Sequence, residues 1–299
     1  MAESSVSKSV SAVSQNKEYV SNLAHGRGSF IDRIFPLIDE ISQFTKMPEW
    51  IMNIVMFYFS LQLLSVGLWI YTPIFERVSE KYHSLYNGII SAFTINTPHT
   101  YTKFNDAFLI LCVVVAAVSI CWIISMIVYN NKYYTISEPF LYISSIIIDI
   151  IDPIFIIPSA FVLNHGITGL KFGFSINYIA EIIGGSLSCI VLSAIFLLNT
   201  MLRSRSVVLS NLLFPSFQTI GIALYIVVNT VFSVISAIFT FFDPWYFVLL
   251  NLIHLFIMGY VCYSIWYIPF YHIWRNSLMM SFSITSIVLD INFLVLCNA

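Results

Sequence analysis

Seven long apolar runs constrain this chain more than any other feature. They cover approximately residues 51–75, 107–129, 139–163, 174–199, 214–241, 245–269 and 277–297. A helix crosses the roughly 30 Å hydrocarbon core of a bilayer with about 20 mainly apolar residues, so each run is long enough to span. In lipid every backbone N–H and C=O must be paired inside the element, which a helix achieves alone. Barrel strands would be about ten residues long and alternating, and these runs do not alternate. The expected fold class is all-α: a polytopic transmembrane helix bundle of about seven spans, preceded by an N-terminal interfacial amphipathic helix.

Composition supports lipid as the main solvent. Apolar residues make up 59% of the 299, and charged residues only 9%, against about 25% in an ordinary soluble domain. Thirteen Lys+Arg against fifteen Asp+Glu give a net charge of −2. With no basic excess or patch, nucleic acid is not an expected partner; the lipid bilayer is. The five cysteines, Cys112, Cys121, Cys189, Cys262 and Cys297, fall in or at the ends of apolar runs. They are expected to remain thiols that pack like small hydrophobes.

Lys and Arg counts predict orientation. Lys8, Lys17, Arg27, Arg33, Lys46, Lys132, Arg203, Arg205 and Arg275 fall on one side, and Arg77, Lys81, Lys103 and Lys171 on the other. That bias places the N-terminus in the cytoplasm, with the plasma membrane as the expected location and the C-terminus outside. Residues 1–28 lack the apolar core of a signal peptide, so the first span is expected to act as the targeting signal.

The predicted organisation has three parts. Residues 1–28, with Ser4, Ser5, Ser7, Ser9, Ser11 and Ser14, read as a disordered cytoplasmic tail, either solvated filler or a phosphorylation target. Within residues 29–48, Phe30, Ile34, Leu37, Ile38, Ile41 and Phe44 recur at helical spacing between Asp32, Asp39, Glu40 and Gln43. That pattern predicts an amphipathic helix in the headgroup region, broken or restarted at Pro36. Residues 49–299 form the transmembrane bundle. Trp50 and Trp69 sit near the ends of span one, and Trp245, Trp266 and Trp274 bracket span six, as interfacial anchors do. Residues 76–106 read as a cap, a ligand vestibule or a plain linker.

Ionisable residues inside a bilayer are costly and mark candidate sites. Here they are Asp149, Asp152, Glu181, His254 and Asp290. Asp149, Asp152 and Ser145 share a helix face. So do Asn177, Glu181 and Ser188, then Asn229, Ser233 and Ser236, then Asn251 and His254, and Asp290 with Ser283 and Ser286. A polar seam through spans three to seven is expected. Asp152 precedes Pro153 and reads equally well as the N-cap of a second half-helix. Glu181 reads as reaching the interface, and His254 as an interhelical hydrogen bonder. No Lys or Arg lies deep in a run, so the acids are expected to lack cationic partners apart from His254. They would then be protonated, or face water or a cation. Ala180, Gly184 and Ser188 fit small-xxx-small helix packing, with oligomer formation through them a further expectation.

Catalytic signatures are missing. There is no H-E-x-x-H, C-x-x-C or P-loop, and Gly184-Gly185-Ser186-Leu187 lacks the second glycine of a nucleophile elbow. No catalytic residue, cofactor or metal ligand is expected in these residues.

The block Phe35-Pro36-Leu37-Ile38-Asp39-Glu40-Ile41, then Thr45-Lys46-Met47-Pro48-Glu49-Trp50, then a span ending Leu68-Trp69-Ile70-Tyr71, resembles the N-terminal membrane region of protist receptor-type adenylate/guanylate cyclases. The resemblance covers about residues 29–75. It implies a short cytoplasmic tail, several membrane helices and a C-terminal class III cyclase domain in the cytosol. No cyclase domain follows the last run here, so no catalytic residue carries over. The expectation is a sensing and anchoring membrane module of such a cyclase, or a truncated relative. The other reading is a small cation- or proton-coupled transporter or channel using the intramembrane carboxylates. A seven-helix receptor of the G-protein-coupled type fits the span count. It lacks Asp/Glu-Arg-Tyr and Asn-Pro-x-x-Tyr, and the predicted orientation opposes it.

Overall fold

The computed structural model describes residues 37–38, 40–41, 47–69, 102–133, 137–171, 173–203, 220–243, 245–267 and 273–298. Its long elements are all helical. They are α1 (Glu49–Trp69), α2 (Thr102–Tyr133), α3 (Glu138–Gly169), α4 (Ile176–Arg203), α5 (Ile220–Phe239), α6 (Trp245–Tyr267) and α7 (Ile273–Asn298). Of these, α2, α3, α4, α6 and α7 are long and apolar enough to cross a membrane, and α5 holds a shorter apolar stretch, Ala223–Phe239. The predicted tail 1–28, most of 29–48 and nearly all of the loop 76–106 lie outside the described residues. Within 29–48, residues 37–38 and 40–41 are helical, with Leu37, Ile38 and Ile41 buried. Ile38 packs with Leu202 at the end of α4.

α3 is the central helix. In its most apolar stretch 67% is buried, against 17% for α2, so its residues meet protein on nearly every side. Pro153 and Pro158 do not end it. The chain instead widens into a π-turn over Ile146–Ile151, where the Asp152 N–H reaches back to the Ile147 carbonyl. A proline has no N–H and its ring collides with the carbonyl one turn back, and an extra residue in the turn relieves that crowding; π-turns of this kind recur at functional positions.

α3 and α4 make the most extensive helix–helix contact, and glycines allow it. A Cβ on Gly185 would come within 2.8 Å of the Leu163 backbone N, and one on Gly166 within 2.9 Å of the Tyr178 carbonyl O. The connection between the two helices includes Gly173 at φ +148°, backbone that favours glycine. Aromatic pairs add to the apolar contacts elsewhere, such as Trp122 stacked on Phe140 at 4.6 Å.

Cross-helix partners give the relative directions. Asn164 meets Ser233, and Lys171 meets Thr240, each 69 residues on; a constant difference means α3 and α5 run parallel. Asp149 pairs with Arg203 while His165 pairs with Glu181; partners moving oppositely along the chain mean α3 and α4 are antiparallel. The same reasoning makes α6 antiparallel to α5, from Asn229 with His254 and Phe239 with Phe247.

The outer surface is apolar. Ile110, Val114 and Val118 of α2 are exposed, as are Ile183, Leu187 and Ile190 of α4, the last at 69%. Exposed apolar side chains recurring along these helices match a lipid-facing surface. Trp50, Trp245, Trp266 and Trp274, the predicted anchors, are all at least half exposed.

Candidate functional site: buried polar pairs

Against that apolar exterior, the interior holds polar groups in separate clusters. The first surrounds Asp149 on the π-turn, about 16 Å along α3 from Glu138. Its carboxylate is fully buried. It accepts hydrogen bonds from Ser145 Oγ at 2.8 Å, Asn199 Nδ2 at 3.1 Å and Arg203 Nη2 at 2.9 Å. Arg203 Nη1 lies 2.6 Å from the other carboxylate oxygen. The guanidinium thus meets the carboxylate with one N–H···O bond from Nη2 and one close ion-pair contact from Nη1. Beside Asn199 lies a small cavity of about 30 Å³, lined in part by Leu37, Ile38, Ile148 and Ile195.

Asp152 sits next to this pair, also fully buried. Ser119 of α2 donates to its Oδ1 at 2.6 Å, and Ser119 itself belongs to a helix whose other face is exposed. Oδ2 has no hydrogen-bond partner among the described residues, nor has Asn199 Oδ1.

A second cluster joins three helices about halfway along α5 and α6. His254 Nδ1 lies 2.8 Å from Asp290 Oδ2, and Nε2 lies 3.4 Å from Asn229 Oδ1. Asn251 donates to the Asp290 backbone carbonyl at 2.9 Å, and Phe232 packs edge-on against the His254 ring. A third contact, His165 Nδ1 to Glu181 Oε2 at 2.7 Å, closes α3 onto α4 near their connection. A fourth group ties α3 to α5. Asn164 Nδ2 donates to the Ser233 carbonyl at 2.6 Å, and Thr168 donates to Asn164 Oδ1.

Several expectations need correction. Asp149 does have an internal cationic partner: Arg203, assigned from sequence to a loop, is the last residue of α4 and is 8% exposed. Glu181 does not reach out to the interface; it is 2% exposed and held by His165. Asp152 does not cap a half-helix, because its own backbone is helical (φ −57°, ψ −50°) and α3 runs through it. Asn177 is exposed while Glu181 and Ser188 are buried, so those three do not form one buried face. Gly184 makes its expected small-residue helix contact within the chain, against Leu109 of α2, while Ser188 is buried and Ala180 is exposed. Among the described residues the expected polar seam falls into the clusters above.

Sequence reasoning missed Arg203, Asn199, His165 and Ser119. Asn199 and Arg203 are four apart, so they share a helix face, and that spacing was the available signal. Ser119 and His165 carried none, because their roles depend on which helices touch.

The five spanning-length helices and the apolar exterior define a helical membrane protein. No family model matches the chain, and no curated protein or solved structure matches it either.

Proposed function

We propose that this chain is an integral membrane module without its own catalytic site, acting as the sensing and anchoring part of a receptor-type nucleotide cyclase or a relative of one. It crosses the plasma membrane seven times with a cytoplasmic N-terminus. The alternation of directions through α3, α4, α5 and α6 supports the span count, and the Lys/Arg bias supports the orientation. The observation carrying the sensing role is the Asp149–Arg203 pair on the π-turn of the central helix. Leu37 and Ile38 from the motif-bearing N-terminal segment line the cavity beside it. On this reading the helix discontinuity would shift between two arrangements as the ion pair opens and closes, and a cytosolic segment packed there would read it out. The carboxylates Asp149, Glu181 and Asp290 are each paired to a basic side chain, which suits a bundle that shifts rather than one that passes ions. The test is to sequence the native transcript through the codon for Ala299. Continuation in frame into a class III cyclase domain is expected; a stop codon there, with no cyclase on related chains, overturns the assignment.

One observation favours a second reading, a proton-coupled transporter or channel. Asn229, His254 and Asp290 form a buried relay across three helices. On that reading Asp149→Asn with Asp290→Asn abolishes flux in liposomes, and unchanged flux refutes it.

A further inference from the structure

The His254 ring meets an oxygen at each of its two nitrogens. Nδ1 lies 2.8 Å from Asp290 Oδ2 on α7, and Nε2 lies 3.4 Å from Asn229 Oδ1 on α5. The direction of the Asn229 amide is fixed from its other end. Its Nδ2 donates to the Tyr225 backbone carbonyl at 2.6 Å, and a carbonyl can only accept, so the oxygen is the atom turned to His254. Asp290 is held in place as well, because Asn251 of α6 donates to its backbone carbonyl at 2.9 Å. His254 and Asp290 are fully buried, and Asn229 is 1% exposed.

This geometry sets the number of protons. Asn229 Oδ1 must receive a hydrogen, so Nε2 carries one. Nδ1 then either carries a second, giving an imidazolium beside a carboxylate, or accepts one from a protonated Asp290. A bare Nδ1 facing a carboxylate would set two lone pairs 2.8 Å apart. Both allowed arrangements hold the same inventory: a pair neutral as a whole, with one proton between Nδ1 and Oδ2. That proton belongs to the pair rather than to either residue. A neutral histidine and an ionised aspartate in the unfolded chain would hold one fewer.

The surroundings favour keeping it. The helices packed most closely on α6 and α7 are α5 and α1. Their titratable side chains are Tyr225 on α5 and Glu49 and Tyr58 on α1; α7 adds Arg275 and Cys297, and α6 adds Cys262 and tyrosines. Arg275, the one Lys or Arg among these helices, lies about 22 Å along α7 from Asp290. Without the extra proton the cluster would enclose a carboxylate far from that cation, which is costly.

We propose that the His254–Asp290 pair is a proton-binding site, occupied in the resting bundle at neutral pH, with Asn229 holding Nε2 in its protonated form. A movement that parts α6 from α7 must release the bound proton or leave charge uncompensated, so occupancy is coupled to closure of α5, α6 and α7. The inference rests on neither proposed function, since a proton stored at rest requires neither a cyclase domain nor flux.

The experiment is solid-state NMR of the full chain in nanodiscs at about pH 7.5, above the usual histidine range. Histidine ring nitrogens are isotope-labelled, and His254 is picked out by its contact with labelled aspartate carboxylate. A protonated Nε2, with a further hydrogen shared between Nδ1 and the carboxylate, is expected. A bare Nε2 overturns the proposal, because Asp290 would then be a plain carboxylate receiving the single imidazole hydrogen. Reversible unfolding counts the proton independently. Between about pH 7.5 and 8.5 the unfolding equilibrium constant of the unaltered chain should rise about tenfold per pH unit more steeply than that of Asp290→Asn, because the folded parent holds a proton that its unfolded chain gives up. Equal slopes overturn the proposal. If Asp290→Asn fails to fold, the NMR result on the unaltered chain decides alone.

Discussion

Replacing Arg203 by Met should destabilise the bundle more than any other single change at the π-turn. The pair's two contacts are 2.6 and 2.9 Å, which puts the charge centres about 4 Å apart and the attraction near 4 kcal/mol at an effective dielectric of about 20. Arg203→Met leaves Asp149 with two neutral donors, Ser145 and Asn199, and removing one partner of a buried pair costs about 3–5 kcal/mol. Asp149→Asn should cost less, about 1–2 kcal/mol. Arg203 is the last residue of α4, so its long side chain can swing to the headgroups, as such residues do near helix ends. Asp149 has no such escape. The double variant should lie within about 2 kcal/mol of the parent, because replacing both partners of such a pair by uncharged groups is often close to neutral. Reversible unfolding in mixed micelles with added SDS, read by tryptophan fluorescence, measures all three. The reasoning fails if Arg203→Met costs under about 1 kcal/mol, if Asp149→Asn is the worse variant, or if the double variant equals the sum of the singles.

The same assay should grade the glycines. Gly185→Ala drives a methyl into the Leu163 backbone and should cost about 1–3 kcal/mol, Gly184→Ala less because only the Leu109 side-chain tip must move, and Gly259→Ala almost nothing because no atom lies within 4 Å. At mid-bundle, His254→Leu should cost about 3–5 kcal/mol by stranding the Asp290 carboxylate; Asp290→Asn, which keeps a hydrogen-bonding partner for His254, should cost about 1–2 kcal/mol, and the reverse order would refute the pairing. For topology, single cysteines at Lys171 and Asp243 should react with an impermeant maleimide from one side of sealed vesicles and a cysteine at Lys132 from the other. All three positions are exposed, and labelling from a common side would overturn the alternation of spans.

The five spanning-length helices were legible because transfer to lipid is a property of a segment by itself: α6, observed at Trp245–Tyr267, begins where the apolar run does. The π-turn was half legible. Pro153 and Pro158 fall inside the third apolar run, but whether a proline ends a helix or only widens it depends on whether neighbours supply the packing, and here α3 is enclosed by other helices. Partners were not legible. Asp149 and Asp290 stood out because each falls mid-run with nothing local to pair with; their partners, Arg203 and His254, come from other helices. Burial of Arg203 was hidden for a related reason, since a basic residue at the end of an apolar run reads as a loop residue until a neighbouring acid is placed at its level.

The positions of the polar contacts divide the bundle mechanically. α3 and α4 are joined at both ends, by Asp149–Arg203 at one and His165–Glu181 at the other, with close glycine contacts between, so they behave as one body. α5, α6 and α7 are joined through His254 near the middle. Among the described residues, the polar ties from Asn164 to Ser233 and Ser236 and from Lys171 to Thr240 lie near the Gly169 end of α3. Contacts of α5 with α3 nearer the other end are carried by apolar side chains such as Ile156 and Ile226 within the common core. Apolar contacts are non-directional and slide at smaller cost than paired polar groups separate. A movement of one group against the other would therefore pivot at the tied end and be largest at the Arg203 end. There the π-turn, the ion pair and the buried residues of the N-terminal segment lie together, so a displacement transmitted through the bundle would reach the N-terminal segment beside the ion pair.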